Sequence, residues 1–399
     1  MLRKKINSLK KMHAEQGTRA TLVNILNRNK NKRIDIFKTF DYVSYKPFGE
    51  VYSPAGENAR TINWVVPDFQ IGGGGHLNIF RLIYLLEKLG YNCRVVIIHS
   101  SFNSADEARE KIRTHFYPIN AKVSIGEASL EPAAITVATN WLSAYIVRNF
   151  QGTQHRCYFV QDYEPYFYPH GSNYHFAEAT YRLGFHGITA GGWLSNKLTA
   201  EHGMKTLSMG FSYDRDLYQP HPRQNQDATK KVFFYARPAT ARRGFELGML
   251  VLNLVAQKMP NVSFVLAGGD LSAYNIPFKH ISPGNVAVKD LPELYSQCDV
   301  ALVLSLTDLS LLPLELMACG CPVVSNRGDN VEWLLNDENA VLADTTPDAL
   351  SDAIVSLLQD EAKRKRLLEA SMAFAANTRW DTEAEKVATF FESLLADKT

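Results

Sequence analysis

Apolar residues along this chain follow two alternating rhythms. Short continuous runs stand at Ile62 to Pro67, Cys93 to Ile98, Ala134 to Ala138, Cys157 to Gln161 and Gly187 to Ala190. Runs of this length predict strands buried on both faces. Between them the period changes. Leu77, Ile79, Phe80, Ile83, Leu86 and Leu89 recur at helical spacing until Gly90, which predicts a helix stopped by glycine. The alternation starts again further on. Strands are predicted at Lys231 to Ala236, Ser263 to Leu266, Val286 to Val288, Val300 to Leu304 and Cys321 to Ser325, and helices at Phe245 to Lys258 and Leu291 to Cys298. Strand–helix alternation implies an α/β protein with parallel sheets covered on both sides. Two such series imply two domains, with the polar, proline-bearing stretch Ser212 to Ala228 as linker. Trp380, Val387, Phe390, Phe391 and Leu394 predict a terminal amphipathic helix.

Composition sharpens this only locally. The 399 residues suit two cores, and a net charge of +2 argues against an overall nucleic-acid or membrane field. The N-terminal segment is the exception. Twelve lysines and arginines between Arg3 and Lys46 face only Glu15, Asp35 and Asp41. No apolar stretch follows to make a signal peptide. A solvated helical arm and attachment to an anionic membrane surface both fit; nucleic-acid binding does not, because no aromatic interleaving accompanies the charge. The five cysteines are scattered and odd in number, which predicts buried thiols rather than a disulfide framework or a zinc site.

Chemistry concentrates where predicted strands end, because open parallel sheets bind ligands beyond their carboxyl ends. The strand ending at Ala236 leads into Arg237-Pro238-Ala239-Thr240-Ala241-Arg242-Arg243-Gly244 and then a helix. Arg237, Arg243 and a helix N-terminus converging there would suit a diphosphate. Gly72 to Gly75, with Gly73 and Gly74 at the centre, follow the first strand as a backbone cradle. They lack the spacing of a nicotinamide fingerprint, and the chain has no P-loop. Ala267-Gly268-Gly269 leaves room at another strand end. Leu304 to Val324 carries a polar turn into a helix bearing Glu315, a carboxylate placed to accept hydrogen bonds from sugar hydroxyls. Tyr163, Glu164 and Tyr166 combine aromatic faces with a carboxylate, as a sugar acceptor requires.

Arg237-x5-Arg243-Gly244, the glycine loop at residue 72 and Pro-Leu-Glu-Leu-Met-Ala-Cys-Gly-Cys-Pro-Val-Val together resemble the retaining GT-B glycosyltransferases of family 4. Tyr158 to Pro165 further resembles bacterial rhamnosyltransferases that build surface or S-layer glycans. The resemblance implies two Rossmann-like domains facing a central cleft. The expected divisions are a basic helical extension at 1–47, an acceptor-side domain at 48–211 joined by the last helix at 380–399, and a donor-binding domain at 212–379. It also implies a nucleotide-sugar donor. Arg237 and Arg243 would hold the diphosphate, Gly73, Gly74 and Gly268 would line the site, and Glu315 would hold the nucleotide ribose. The first glutamate of the family's Glu-x7-Glu pattern falls at Thr307. Thr307, Asp308 or the backbone at Leu309 and Ser310 would then meet the donor sugar. The family's histidine of the first domain is replaced near Gln161 and Asp162, which are placed against the transferred sugar.

The expected reaction is transfer of a hexose, L-rhamnose from dTDP-L-rhamnose, to a growing glycan with retention of configuration. The acceptor includes the option of a lipid-linked glycan. No cofactor is expected, and the reaction is expected to be metal-independent. Localisation is expected to be cytoplasmic, with peripheral contact at the inner membrane face left open. A GT-B nucleotide-sugar epimerase and a non-catalytic glycan-binding relative remain alternatives.

Overall fold

A computed structural model of the chain describes residues 35–44, 47–49, 52–224 and 229–396. Of the basic extension expected at 1–47, residues 1–34 and 45–46 lie outside the described residues, and with them most of the helix and the membrane contact expected of it; Ile36–Thr39 forms one helical turn and Asp41–Val43 a 3-10 turn.

The first lobe is a seven-stranded sheet in the order β3-β2-β1-β4-β5-β6-β7. Its strands are β1 (Thr61–Pro67), β2 (Asn92–Ile98), β3 (Lys122–Ile125), β4 (Ala133–Ala138), β5 (Thr153–Val160), β6 (His186–Ala190) and β7 (Lys205–Met209). Every pairing is parallel. The crossover helices are α1 (Gly74–Lys88), α2 (Ala105–His115), α3 (Trp141–Asn149), α4 (Ser172–Ala179) and α5 (Gly191–His202). Strands β1 and β4 are almost wholly buried, as their unbroken apolar runs require.

The second lobe is a six-stranded parallel sheet in the order β10-β9-β8-β11-β12-β13. It is built from β8 (Lys230–Tyr235), β9 (Val262–Ala267), β10 (His280–Gly284), β11 (Val300–Val303), β12 (Val323–Asn326) and β13 (Val341–Ala343). Its helices are α6 (Phe245–Lys258), α7 (Leu291–Ser296), α8 (Leu312–Ala318), α9 (Pro347–Gln359) and α10 (Glu361–Asn377). The last helix, α11 (Trp380–Ala396), leaves this lobe. It buries Ala384, Val387, Phe391 and Leu394 in the core of the first.

Two expectations need correction. The strand expected at Val286 to Val288 is not one: Val288 opens a 3-10 turn, and the edge strand is β10. The run His-Ile-Ser-Pro-Gly is largely exposed and holds Pro283, so it carries no apolar signal. Proline is tolerated there because an edge strand need not donate on its outer side. Nor is the stretch at 212–224 a free tether. Tyr213 and Tyr218 are buried, Arg223 donates to Asp299 at 2.9 Å and His221 N–H to Ser296 Oγ at 2.9 Å.

The lobes touch through a continuous apolar seam. One buried cluster runs from Val65, Tyr158 and Leu194 through Phe211 to Val331 and Leu335. At its centre Trp333 lies against the start of α5. A Cβ built on Gly191 would stand 2.4 Å from the Trp333 ring, so only glycine permits this approach. All five cysteines are buried and unbridged. Among the described residues, no helix is long and apolar enough to cross a membrane.

Candidate active site

In each sheet the strand order reverses between two neighbours, β1 and β4 in the first and β8 and β11 in the second. The connections leaving these strands diverge and open a crevice. The second crevice holds the cations. Beyond β8, Arg237 is exposed, and its Nη1 donates to the Tyr235 hydroxyl at 3.2 Å. A 3-10 turn, Ala241–Arg243, ends at Gly244 with φ of 60° before α6 begins. That turn aims Arg243 at the loop beyond β11. Its Nη1 donates to Ser305 Oγ at 2.9 Å and to the Asp308 carbonyl at 3.3 Å. Arg243 and Tyr235 line one small hollow with Ser310 and Leu312. Tyr235 thus stands between the two arginines. Burial lowers the Arg243 pKa, and Arg242 adds to this, while Asp162 and Asp308 oppose it.

Gly268 serves this cluster indirectly. Its φ is 112°, and a Cβ there would lie 2.5 Å from the Tyr235 ring. The glycine therefore gives Tyr235 its seat. The loop at 305–311 is pinned from behind: Ser305 N–H donates to Asn326 Oδ1 at 2.9 Å, and Asn326 Nδ2 returns a bond to the Ser305 carbonyl at 3.0 Å. Asn330 Nδ2 donates to the Ser305 and Thr307 carbonyls.

The first lobe brings Gln161 and Asp162 to the same place from the end of β5. Gln161 fastens the glycine loop, donating to the Gly75 carbonyl at 3.1 Å and accepting from Asn78 at 3.2 Å. Gly73 caps α1 with no side-chain bond and its own N–H donates to the Gln70 carbonyl at 3.3 Å, so the helix-end N–H groups from Gly74 onward are left without a side-chain cap. Asp162 crosses the cleft. Its Oδ1 accepts from Asp308 N–H at 3.0 Å and Tyr163 N–H at 2.8 Å, and its Oδ2 accepts from the Thr307 hydroxyl at 2.9 Å. Arg242 Nε lies 3.5 Å from Oδ2, with the guanidinium 4.4 Å over the Phe167 ring. Burial raises the Asp162 pKa, and Arg242 and Arg243 pull it back.

Several expected site residues are spoken for internally. The Thr307 hydroxyl is donated to Asp162, and Asp308 Oδ1 accepts from Trp333 Nε1 at 2.7 Å and Leu309 N–H at 2.8 Å. In this closed arrangement neither the Thr307 hydroxyl nor the Leu309 N–H is free for a donor sugar, and burial holds the Asp308 carboxyl well above its ordinary pKa. Two of the expected acceptor residues also turn inward. Tyr163 is 1% exposed and Glu164 7%. Glu164 accepts from Trp141 N–H at 2.8 Å and the Tyr158 hydroxyl at 3.1 Å, so it knits α3 to β5. Of the three, Tyr166 alone is exposed, at 45%, with Phe167 beside it at 39%.

Glu315 sits in the first turn of α8 and lines a cavity of about 320 Å³ between the lobes. Burial raises its pKa to about 7, and a bond with the Tyr218 hydroxyl and the charge of Arg81 offset part of the rise. Sequence reasoning missed Arg242, Asn326, Trp333 and Arg81. For Arg242 a signal was available, since it adjoins Arg243. Trp333 and Arg81 reach the site only through tertiary packing.

Two parallel doubly wound sheets whose switch points face each other, one rimmed with arginines, define the GT-B architecture. Sucrose-phosphate synthase from Thermosynechococcus elongatus superimposes with a TM-score of 0.64 at 14% identity, covering 84% of this chain and 99% of that one. HepE from Anabaena, in complex with UDP and glucose, gives 0.64 at 17% identity, covering 84% and 100%. Residues 119–190 match the model of the WsaF N-terminal domain and residues 230–355 that of the WsaF C-terminal domain. The chain is thus WsaF-like in both of its domains and has the GT-B fold. The O-antigen biosynthesis protein RfbC of Myxococcus xanthus is 36% identical over 339 residues, 82% of this chain and 26% of that protein. The matches span about a quarter of the length of the curated relatives.

Proposed function

We propose that the chain is a glycosyltransferase of surface-glycan assembly. It moves L-rhamnose from dTDP-L-rhamnose to a growing glycan, with retention of configuration and without a metal. The observation that carries the reading is the convergence of Arg237, Arg243 and the Ser305–Ser310 loop at the switch point of the second sheet. The surface-glycan setting is supported by the likeness to RfbC, named for O-antigen biosynthesis, and a nucleotide-sugar donor by the UDP and glucose bound to HepE. The choice of rhamnose and dTDP rests on the rhamnosyltransferase resemblance of Tyr158 to Pro165.

In this mechanism the departing diphosphate gathers negative charge as the sugar becomes cationic. Arg237 and Arg243 stabilise that charge. At about 4 Å and an effective dielectric near 20, one such contact is worth roughly 4 kcal/mol before desolvation. Interactions that strengthen as charge develops raise turnover and not only affinity. Glu315 accepts from hydroxyls of the nucleotide, and the open N-terminus of α1 at Gly73 and Gly74 faces the anionic donor. Asp162 and Gln161 stand at the transferred sugar, and Tyr166 with Phe167 offers stacking faces to the acceptor. Donor entry requires the Asp162 bridge to Thr307 and Asp308 to part, an interlobe opening of the hinge type.

Transfer from dTDP-L-rhamnose, UDP- and GDP-sugars to an oligosaccharide acceptor, with and without EDTA, tests the reading. Retained-configuration product from the dTDP donor, unaffected by EDTA, is expected. Isomerised sugar from donor alone would identify an epimerase. Donor binding to none of the three would identify a glycan-binding relative.

A further inference from the structure

The cavity at Glu315 is walled by both lobes. Arg81, Tyr84 and Tyr117 come from the first, and Asp214, Tyr218 and Glu315 from the second. Arg81 is held on three sides. Its Nε donates to the Tyr117 hydroxyl at 2.7 Å, its Nη1 to Asn78 Oδ1 at 2.9 Å, and its guanidinium lies 4.3 Å over the Trp380 ring. These bonds use Nε and Nη1. A guanidinium has five N–H donors, so a rigid, pre-aimed cation keeps donors for a ligand. Across the cavity Glu315 presents an acceptor, and the two groups feel one another's charge. Leu77 and Leu217 add apolar wall.

A pocket with a fixed donor on one side, a fixed acceptor on the other and aromatic and aliphatic walls matches a nucleoside. The sugar hydroxyls donate to a carboxylate, carbonyl oxygens accept from a guanidinium, and the base has an apolar face. We infer that Arg81 is a donor-recognition residue contributed by the first lobe, which with Glu315 of the second grips the nucleoside of the nucleotide sugar. The inference rests on the nucleotide-sugar reading above. The position of Trp380 gives this grip a consequence. That residue opens α11, the helix returning to the first lobe, and Arg215 ties the preceding turn to the second lobe through the carbonyls of Ala376 and Thr378. Arg81 therefore rests on the hinge itself, and a nucleoside held from both sides holds the lobes together.

Calorimetric titration of the full chain with dTDP, UDP and inorganic pyrophosphate separates this grip from the phosphate site. Arg81→Gln is expected to weaken dTDP or UDP by about ten- to a hundredfold, the range for a charged hydrogen bond, and to leave pyrophosphate affinity within about twofold. That split is not what general damage would produce. Because Arg81 also supports Tyr117 and Trp380, Tyr84→Ala on the same wall is the second variant, expected to weaken nucleotides by roughly three- to tenfold through lost stacking. Unchanged nucleotide affinity in either variant, or equal weakening of nucleotide and pyrophosphate, overturns the inference and leaves the donor reading standing. Wild-type protein that binds pyrophosphate but neither nucleotide overturns both.

Discussion

The two lobes share a topology and differ in what they bring to the cleft. At the switch point of the second sheet the chain places Arg237, Arg242 and Arg243 within one short turn. The facing edge of the first places Asp162, with Tyr166 and Phe167 exposed beside it. A doubly wound sheet fixes where a ligand sits but not which ligand. The difference between these edges therefore carries the functional information. A cationic rim stabilises a polyanionic leaving group, while an edge of one carboxylate and exposed rings suits neutral hydroxyls and apolar sugar faces. Asp162 is the point where the chemistries meet, since its oxygens accept from Thr307 and Asp308 of the opposite lobe.

The sharpest way to break this contrast is to neutralise the cationic edge. Arg237→Ala and Arg243→Ala are each expected to lower kcat by roughly 10²–10³-fold, the scale of losing one preorganised donor to developing charge. Arg243→Ala should also loosen the loop at 305–308, which it pins through Ser305 and Asp308; Arg237→Ala, at an exposed side chain whose hydrogen bond among the described residues is to Tyr235, should leave melting unchanged. Steady-state kinetics beside thermal melts distinguishes the two. Wild-type turnover in Arg237→Ala would remove its role at the diphosphate.

Of intermediate size is the effect of prying the edges apart. Gly191 has φ of 79° and abuts Trp333. Gly191→Ala adds left-handed strain of about 1–3 kcal/mol to an overpacked interlobe contact worth another 1–3 kcal/mol. Urea unfolding should show a loss of about 2–6 kcal/mol, and small-angle scattering a wider separation of lobes. A loss near 1 kcal/mol with unchanged scattering would mean that Trp333 does not press on α5 in solution.

Much of this contrast is legible in the sequence. Unbroken apolar runs revealed the central strands, because a strand covered on both faces has no polar side to confuse the pattern. Edge strands β3, β7 and β10 were invisible or misplaced for the converse reason: Lys122 and Lys205 open the first two and Pro283 stands inside the third; β13, three apolar residues at Val341–Ala343, is too short to make a run. Arg237, Arg243 and Glu315 could be found because each lies at a strand end or helix start that the local pattern dates. Tyr163 and Glu164 misled because composition near a strand end does not report orientation. The chain turns there through a 3-10 segment, Glu164–Phe167, which directs Glu164 inward and leaves Tyr166 outside. Arg81 and Trp333 carried no local signal at all, since their parts depend on a helix from one lobe meeting residues distant in sequence.

The smallest expected effect tests that inward turn. Burial raises the Glu164 pKa from its ordinary 4.5 to about 8, against the bonds from Trp141 and Tyr158 that favour the charged form. The folded protein thus holds the Glu164 proton more tightly than the unfolded chain does. The resulting stability is fully present below pH 4.5 and is lost as pH rises towards about 8. Glu164→Gln keeps the size, accepts from Trp141 N–H through its carbonyl and donates to the Tyr158 oxygen through its amide, with no proton to lose. Denaturant midpoints between pH 5 and 8 should therefore fall less steeply in Glu164→Gln than in wild type, with the variants nearly equal at pH 5 and the KM for acceptor unchanged. An acceptor KM raised severalfold with the wild-type pH slope intact would return Glu164 to the ligand surface.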